Sequence, residues 1–276
     1  MSSTILCRAD DFGSARAANK AILEAVDSQY IVRNVSCMAA ANYIDEGAYF
    51  LKNHKNISIG VHTMITSEWD GVRWGPLAAE MEKSDHISSD GCFYQTQEEL
   101  ADKHPDIDAI IKEFDSQLDK LNRLGLHVVY ADCHMAPELW IENLAEAFQE
   151  WTVKKGLINA EHYYERKIPF PILSAENDKE NLQCIENWLK RLQENEQYFY
   201  VVHPAIACEE TLQFCNSRFE PGIISRERDS EYRVVTSEKW KEWKKESDIL
   251  PIRYTEARKE KNGREALKEL VGYKSK

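Results

Sequence analysis

The chain is 276 residues long, 43% hydrophobic and 30% charged, with a formal net charge of −12. That length suits one β/α barrel domain able to bury a full core unaided, and the composition is not that of a disordered chain. The acidic balance argues against nucleic acid or an anionic membrane as the main partner, and no apolar run reaches membrane-spanning length.

Residues 4–8 predict a first strand, so no signal segment is expected ahead of it. The cysteines (Cys7, Cys37, Cys92, Cys133, Cys184, Cys208 and Cys215) are odd in number and lack CxxC spacing, which fits reduced thiols in a cytoplasmic protein. Ser14 stands where an N-cap belongs, ahead of a helix through Ala18, Ile22, Leu23 and Val26. A strand over 32–39, a helix over 42–51 and a third strand over 57–61 follow. Residues 63–98 are long and aperiodic, with Trp69, Trp74, Gly71, Gly75, Pro76 and Tyr94. A loop of that length usually has work to do, such as covering a site as a lid. Trp69 is the sugar-stacking candidate within it, with packing onto the barrel as the other reading. Ile107, Ile110, Ile111, Phe114, Leu118, Leu121 and Leu124 give a helix over 107–124, stopped by Gly125. A strand over 127–131, a helix over 138–153 opened by Pro137, a proline-interrupted strand over 168–173, a helix over 181–192 and a strand over 198–202 complete the middle. A late strand over 249–254 and a helix over 264–270 end the chain. Arg226, Arg228 and the lysine-rich stretch 239–276 run against the acidic trend, and the latter reads as a solvated helix face. Strands alternating with helices imply parallel βαβ units. The expected fold class is α/β: a single-domain irregular β/α (TIM-like) barrel over residues 1–276, with a doubly wound open sheet as runner-up.

Four predicted strands end alike. The first runs into Ala9-Asp10-Asp11-Phe12-Gly13, the third into Gly60-Val61-His62-Thr63, the strand at 127 into Asp132-Cys133-His134, and the strand at 198 into His203-Pro204. In a parallel barrel these ends converge on one face, where barrel active sites are built. A lone Asp after a strand commonly caps a helix or forms a turn, a role open to Asp10 or Asp11. A lone His is more often a satisfied polar residue, the reading taken for His54, His86, His104, His127 and His162. Repeated placement sets His62, His134 and His203 apart. One carboxylate and two imidazoles suit one divalent metal ion with positions left open, so Asp11, His62 and His134 are the expected ligands. Mg²⁺ and Zn²⁺ lead, though Co²⁺ and Fe²⁺ use the same donors. Asp10 fits a general base, His203 a general acid, and Asp132 an acceptor that orients a ligating His. Gly-rich phosphate loops, a G-x-S-x-G elbow and paired zinc cysteines are absent. Adjacent Asp residues do not suit a glycosidase, whose acids come from separate elements.

At these motifs the chain resembles the YdjC-like carbohydrate deacetylases, the family of the chitooligosaccharide deacetylases. The four motifs occur in the family's order from residue 9 to residue 204. The resemblance implies an irregular β/α barrel, hydrolysis of an N-acetyl group from an amino sugar, metal at Asp11, His62 and His134, Asp10 as base and His203 as acid. Many members carry S-H-x-H where Cys133 and Ala136 stand here, and G-x-H-L-x-L-T where residues 60–66 read G-V-H-T-M-I-T. These departures bear on sugar specificity more than on metal. Arg228 and Glu231 resemble a charged stretch that follows the His-Pro motif in relatives, and are named as substrate contacts against the alternative of a surface helix pair. The expected function is a metal-dependent hydrolase of an acetylated amino sugar or short oligosaccharide, phosphorylated or not, in carbohydrate metabolism or polysaccharide degradation. The expected partner is a small carbohydrate, with no nucleic acid and no membrane; a homodimer is compatible but not demanded. Metal chemistry alone does not separate this from phosphoester or other amide hydrolysis, and fold alone does not separate it from a non-catalytic sugar sensor.

Overall fold

The computed structural model describes residues 2–83, 85–165, 167–173 and 177–273. Its spine is β1 (Ser3–Phe12), in which Ile5, Leu6, Cys7, Ala9 and Phe12 are all fully buried. A strand apolar on both faces needs cover on both, the requirement of a parallel sheet wrapped by helices. After β1 come α1 (Arg16–Ser28), β2 (Asn34–Cys37), α2 (Ile44–Leu51) and β3 (Ser58–Thr63). Then follow α3 (Gln97–Ala101), α4 (Ile107–Arg123), β4 (Val128–Cys133), α5 (Leu144–Lys155) and β5 (Ile158–Asn159). The last third holds α6 (Asp178–Leu189), β6 (Gln197–Val202), α7 (Ile223–Val235), α8 (Lys239–Glu246), β7 (Ile249–Pro251) and α9 (Gly263–Leu270).

The seven-stranded sheet runs β5-β4-β3-β2-β1-β6, every pairing parallel, with β7 joined to β1. Strand β6 takes one edge of β1, from Thr4 to Ala9; the other edge is divided between β7 at Ser3–Ile5 and β2 from Arg8 onward. Asn34 seals the junction, donating to the Cys7 and Ile252 carbonyls at 2.8 and 3.0 Å and accepting from the Tyr254 N–H at 2.8 Å.

This order bears on both expected architectures. Successive strands β1 to β5 stay adjacent, as around a barrel, and β6 then returns to the far side of β1. The sheet nevertheless does not close: β5 and β6 end the path unpaired with each other, so the architecture is an open, barrel-like sheet and not a TIM barrel. The expected strand over 168–173 is irregular coil. Pro169 and Pro171 lack the N–H donors a sheet ladder needs.

Local details also differ. Ser14 does not cap α1: the N-cap is Ala15, with no side-chain cap, and the Ser14 hydroxyl is buried without a partner. The single helix expected over 138–153 is a 3₁₀ turn at Pro137–Leu139 followed by α5, with Ala136 and Asn143 left-handed. The lysine-rich α8 is only partly a solvated face, since Trp240 and Trp243 are buried.

The described residues of the 63–98 segment are tied to the body of the fold as a wall. The Glu113 carboxylate accepts from the Leu77 N–H at 2.9 Å and the Ala78 N–H at 2.7 Å, and the Trp74 indole donates to the Thr66 carbonyl at 2.7 Å. Ser67 N–H donates to the Tyr94 carbonyl at 2.8 Å, while Arg73 donates to the Ser67 and Phe93 carbonyls. Among the described residues no helix is long and apolar enough to cross a membrane.

Candidate metal centre and active site

Adjacent residues of a regular strand point to opposite faces, so Asp10 and Asp11 should not share a site. The register of β1 against β2 shifts between Ala9 and Phe12, and Asp11 adopts a left-handed φ of 63°. This irregularity turns both carboxylates into the same cavity at the C-terminal ends of the strands. His62 and Asp132 are register partners on β3 and β4, and His134 follows β4 directly.

Asp11 Oδ1, His62 Nε2 and His134 Nδ1 face one another. The two nitrogens are 3.2 Å apart and each lies 3.4 Å from the oxygen. A point equidistant from three such atoms lies about 2 Å from each, the bond length of zinc-type N/O coordination. Asp11 Oδ1 is buried and has no hydrogen-bond partner. These residues therefore fit a divalent cation.

The electrostatics agree. Burial pushes the Asp11 carboxyl up, but Arg228, with Nη2 2.6 Å from Oδ2, and the two imidazoles hold it well below the usual carboxylate range. Burial pushes both imidazoles down, yet the carboxylates around them prevail, raising His62 to about 10 through Asp132 and Asp10, and His134 to about 9 through Glu68 and Asp11. The surrounding carboxylates thus favour positive charge at this place, as a site that could hold a cation requires.

Around this centre, His62 Nδ1 lies 2.6 Å from Asp132 Oδ2, the orienting contact expected for Asp132. Asp132 also accepts from Ser36 at 2.8 Å and faces Arg8 at 3.2 Å. Asp10 is gripped by Arg8 through two bonds of 2.6 Å, Nε to Oδ1 and Nη2 to Oδ2. Arg8 Nη1 and Nη2 also reach the Tyr254 and Tyr164 hydroxyls, each at 3.2 Å. His203 lies on the open side of the cavity with its side chain 39% exposed. Its N–H donates to Glu231 Oε2 at 2.6 Å, and its Nδ1 is 3.9 Å from the same oxygen.

The cavity is about 470 Å³ and brings together Asp10, Asp11, His62, His134, His203, Trp69, Arg228 and Glu231. Asp132 stands behind His62. Arg228 and Glu231 on α7 are not a surface pair: Arg228 is buried and holds Asp11, and Glu231 holds the His203 backbone. Trp69 follows the packing reading of its two expected roles. It is only 6% exposed, 5.7 Å from the Phe214 ring and 5.8 Å from the Arg228 guanidinium, so it braces Arg228 and offers no open sugar platform. His127 precedes β4 at the other end of the sheet, as its position in the sequence implies.

Sequence reasoning missed Arg8 and Glu68. Arg8 had a signal, since residues 8 and 10 share a strand face. Glu68, whose Oε2 is 2.9 Å from His134 Nε2, lies in an aperiodic segment with nothing to mark it.

Comparison with known proteins adds to this geometry. A structure from Enterococcus faecalis V583, named as a candidate cellobiose-phosphate cleavage protein, is similar with a TM-score of 0.72 and 20% identity, covering 92% of this chain and 98% of that one. A CE4 esterase of Streptococcus mutans is similar with a TM-score of 0.50 and 11% identity, covering 91% of this chain and 85% of that one. At such identities the likeness is one of fold. No curated protein matches the chain in sequence. The profile of the YdjC-like proteins matches residues 4–246, from β1 through α8, and so takes in Asp10, Asp11, His62, Asp132, His134, His203, Arg228 and Glu231; the chain belongs to the YdjC-like protein family.

Proposed function

We propose that this protein is a metal-dependent hydrolase that removes the N-acetyl group from an acetylated amino sugar or short oligosaccharide. The observation that carries the reading is the buried triangle of Asp11 Oδ1, His62 Nε2 and His134 Nδ1, opening into a cavity lined by Asp10 and His203. Asp11, His62 and His134 would hold the ion, Mg²⁺ or Zn²⁺ being the leading identities. When bound, it supplies Lewis-acid polarisation of a carbonyl and acidifies water.

The chain's own residues supply the rest. Asp10 takes the proton of the attacking water. Its bidentate bond to Arg8 fixes the carboxylate plane, and each oxygen keeps a further lone pair for that proton. His203 protonates the departing amine, and its exposure lets it recover a proton from solvent. Glu231 fixes the His203 backbone and pairs with the imidazolium form. Arg228 keeps Asp11 ionised and oriented. Arg218 lines the cavity and supplies a cation there, which would suit an anionic substituent such as a phosphate on the sugar. The name of the E. faecalis structure points the same way.

The test is acetate release from N-acetylglucosamine, diacetylchitobiose and their phosphates, after chelation and re-addition of single metals, with His134→Ala alongside and generic phosphoesters as controls. Metal-dependent acetate release that His134→Ala abolishes is expected. Phosphoester cleavage without acetate release would instead assign the site to phosphoryl chemistry. Ligand binding without turnover under any metal would make the protein a sugar sensor.

A further inference from the structure

A neutral imidazole carries one N–H, and only its other nitrogen can ligate a metal. His62 and His134 meet this constraint in opposite senses. His62 turns Nδ1 to Asp132 and presents Nε2, whereas His134 presents Nδ1 and turns Nε2 to Glu68 at 2.9 Å. The proton of His134 has two carboxylate suitors, Glu68 Oε2 at 2.9 Å from Nε2 and Asp11 Oδ1 at 3.4 Å from Nδ1. If it settled on Nδ1, it would occupy the coordination position.

From this geometry we infer that Glu68 is the positioning residue of the metal centre: it holds the His134 proton on Nε2 and keeps Nδ1 bare for the ion. Glu68 is 7% exposed and its own place is fixed. Its carbonyl accepts from Asn216 Nδ2 at 3.0 Å, the neighbouring Ser67 and Asp70 N–H groups donate to the Tyr94 and Cys215 carbonyls, each at 2.8 Å, and Trp74 packs edge-on to the His134 ring at 6.1 Å. The 63–98 wall is thereby part of the metal site, reaching it through one carboxylate. Partners that orient a ligating His typically change metal affinity by roughly 10- to 100-fold when removed.

The inference rests on the metal ligands of the proposed function and not on its substrate, so its test reads metal and tautomer, not turnover. The full chain and its Glu68→Ala and Glu68→Gln variants are titrated with Zn²⁺ against a competing chelator. Long-range ¹H–¹⁵N spectra of the Zn²⁺-loaded, ¹⁵N-histidine-labelled proteins then report which nitrogen of His134 carries hydrogen. The expected result is an affinity loss of roughly 10- to 100-fold for Glu68→Ala, with Glu68→Gln, which keeps an acceptor oxygen, restoring most of it, and an Nε2–H signal for His134 in the wild type. Equal affinity in all three proteins, an Nδ1–H signal in the wild type, or no Zn²⁺ binding by the wild type would each overturn it. Full metal binding without acetate release would sink the deacetylase reading and leave Glu68 standing.

Discussion

Glu138 lies in the 3₁₀ turn just beyond His134, 5% exposed, and its Oε2 is buried without a hydrogen-bond partner. Burial first, then the charges of Glu161 and Asp132, push its carboxyl from an ordinary 4.5 up to about 8. A raised carboxyl pKa means the folded chain binds more protons than the unfolded chain between those values. Stability therefore falls as pH rises through the window. Glu138→Gln mimics the protonated acid in shape but cannot ionise. At 1.36 kcal/mol per pH unit, the variant should gain on the wild type by about 2–3 kcal/mol between pH 5 and pH 7, with the gain levelling off above pH 8. Urea unfolding of both proteins at pH 5, 6, 7 and 8 measures it, and taking the difference removes every other titrating group. Parallel stability profiles would refute the reasoning, by showing that water or a rearranged neighbour solvates Glu138. A variant that loses ground to the wild type as pH rises would show that the ionised form is favoured where it sits.

Other consequences are as direct. A Cβ on Gly60 would lie 2.2 Å from the Tyr130 ring, which is held by Tyr254 at 4.2 Å and by Ser36 at 2.8 Å. Gly60→Ala should cost at least about 1–3 kcal/mol as overpacking, read as a lowered denaturation midpoint. Glu113→Ala strips the Leu77 and Ala78 N–H groups of their acceptor; limited proteolysis should then cut the 63–98 wall faster, while an unchanged digestion pattern would mean other contacts hold it. Asp10→Asn should lower turnover by roughly 10²- to 10⁴-fold if Asp10 is the base, with Zn²⁺ affinity kept because Asp10 is not a ligand of the triangle. Near-normal turnover would remove it from the mechanism.

The sequence by itself determined most of the strands, β5 and the mistaken 168–173 aside, and the residues at their ends. Alternation of apolar runs with amphipathic helices gave the parallel α/β class, because a buried strand and a one-sided helix leave different periodicities. His62, His134 and the Asp10-Asp11 pair were readable because parallel strands must deliver their C-terminal ends to one face. What the tertiary structure alone decided lies in the backbone's departures from regularity and in contacts distant in sequence. Neighbouring Asp10 and Asp11 share a cavity only through the irregularity of β1 and the left-handed Asp11. Arg228 meets Asp11 across 217 positions of chain, and Glu68 meets His134 across 66, distances over which no local pattern carries information. The sheet stays open because β5 and β6 do not pair, a matter of tertiary placement that no local periodicity records. Trp69 shows the same limit from the other side: composition marks an aromatic residue near a site, but only packing decides whether its face meets a ligand or, as here, an arginine.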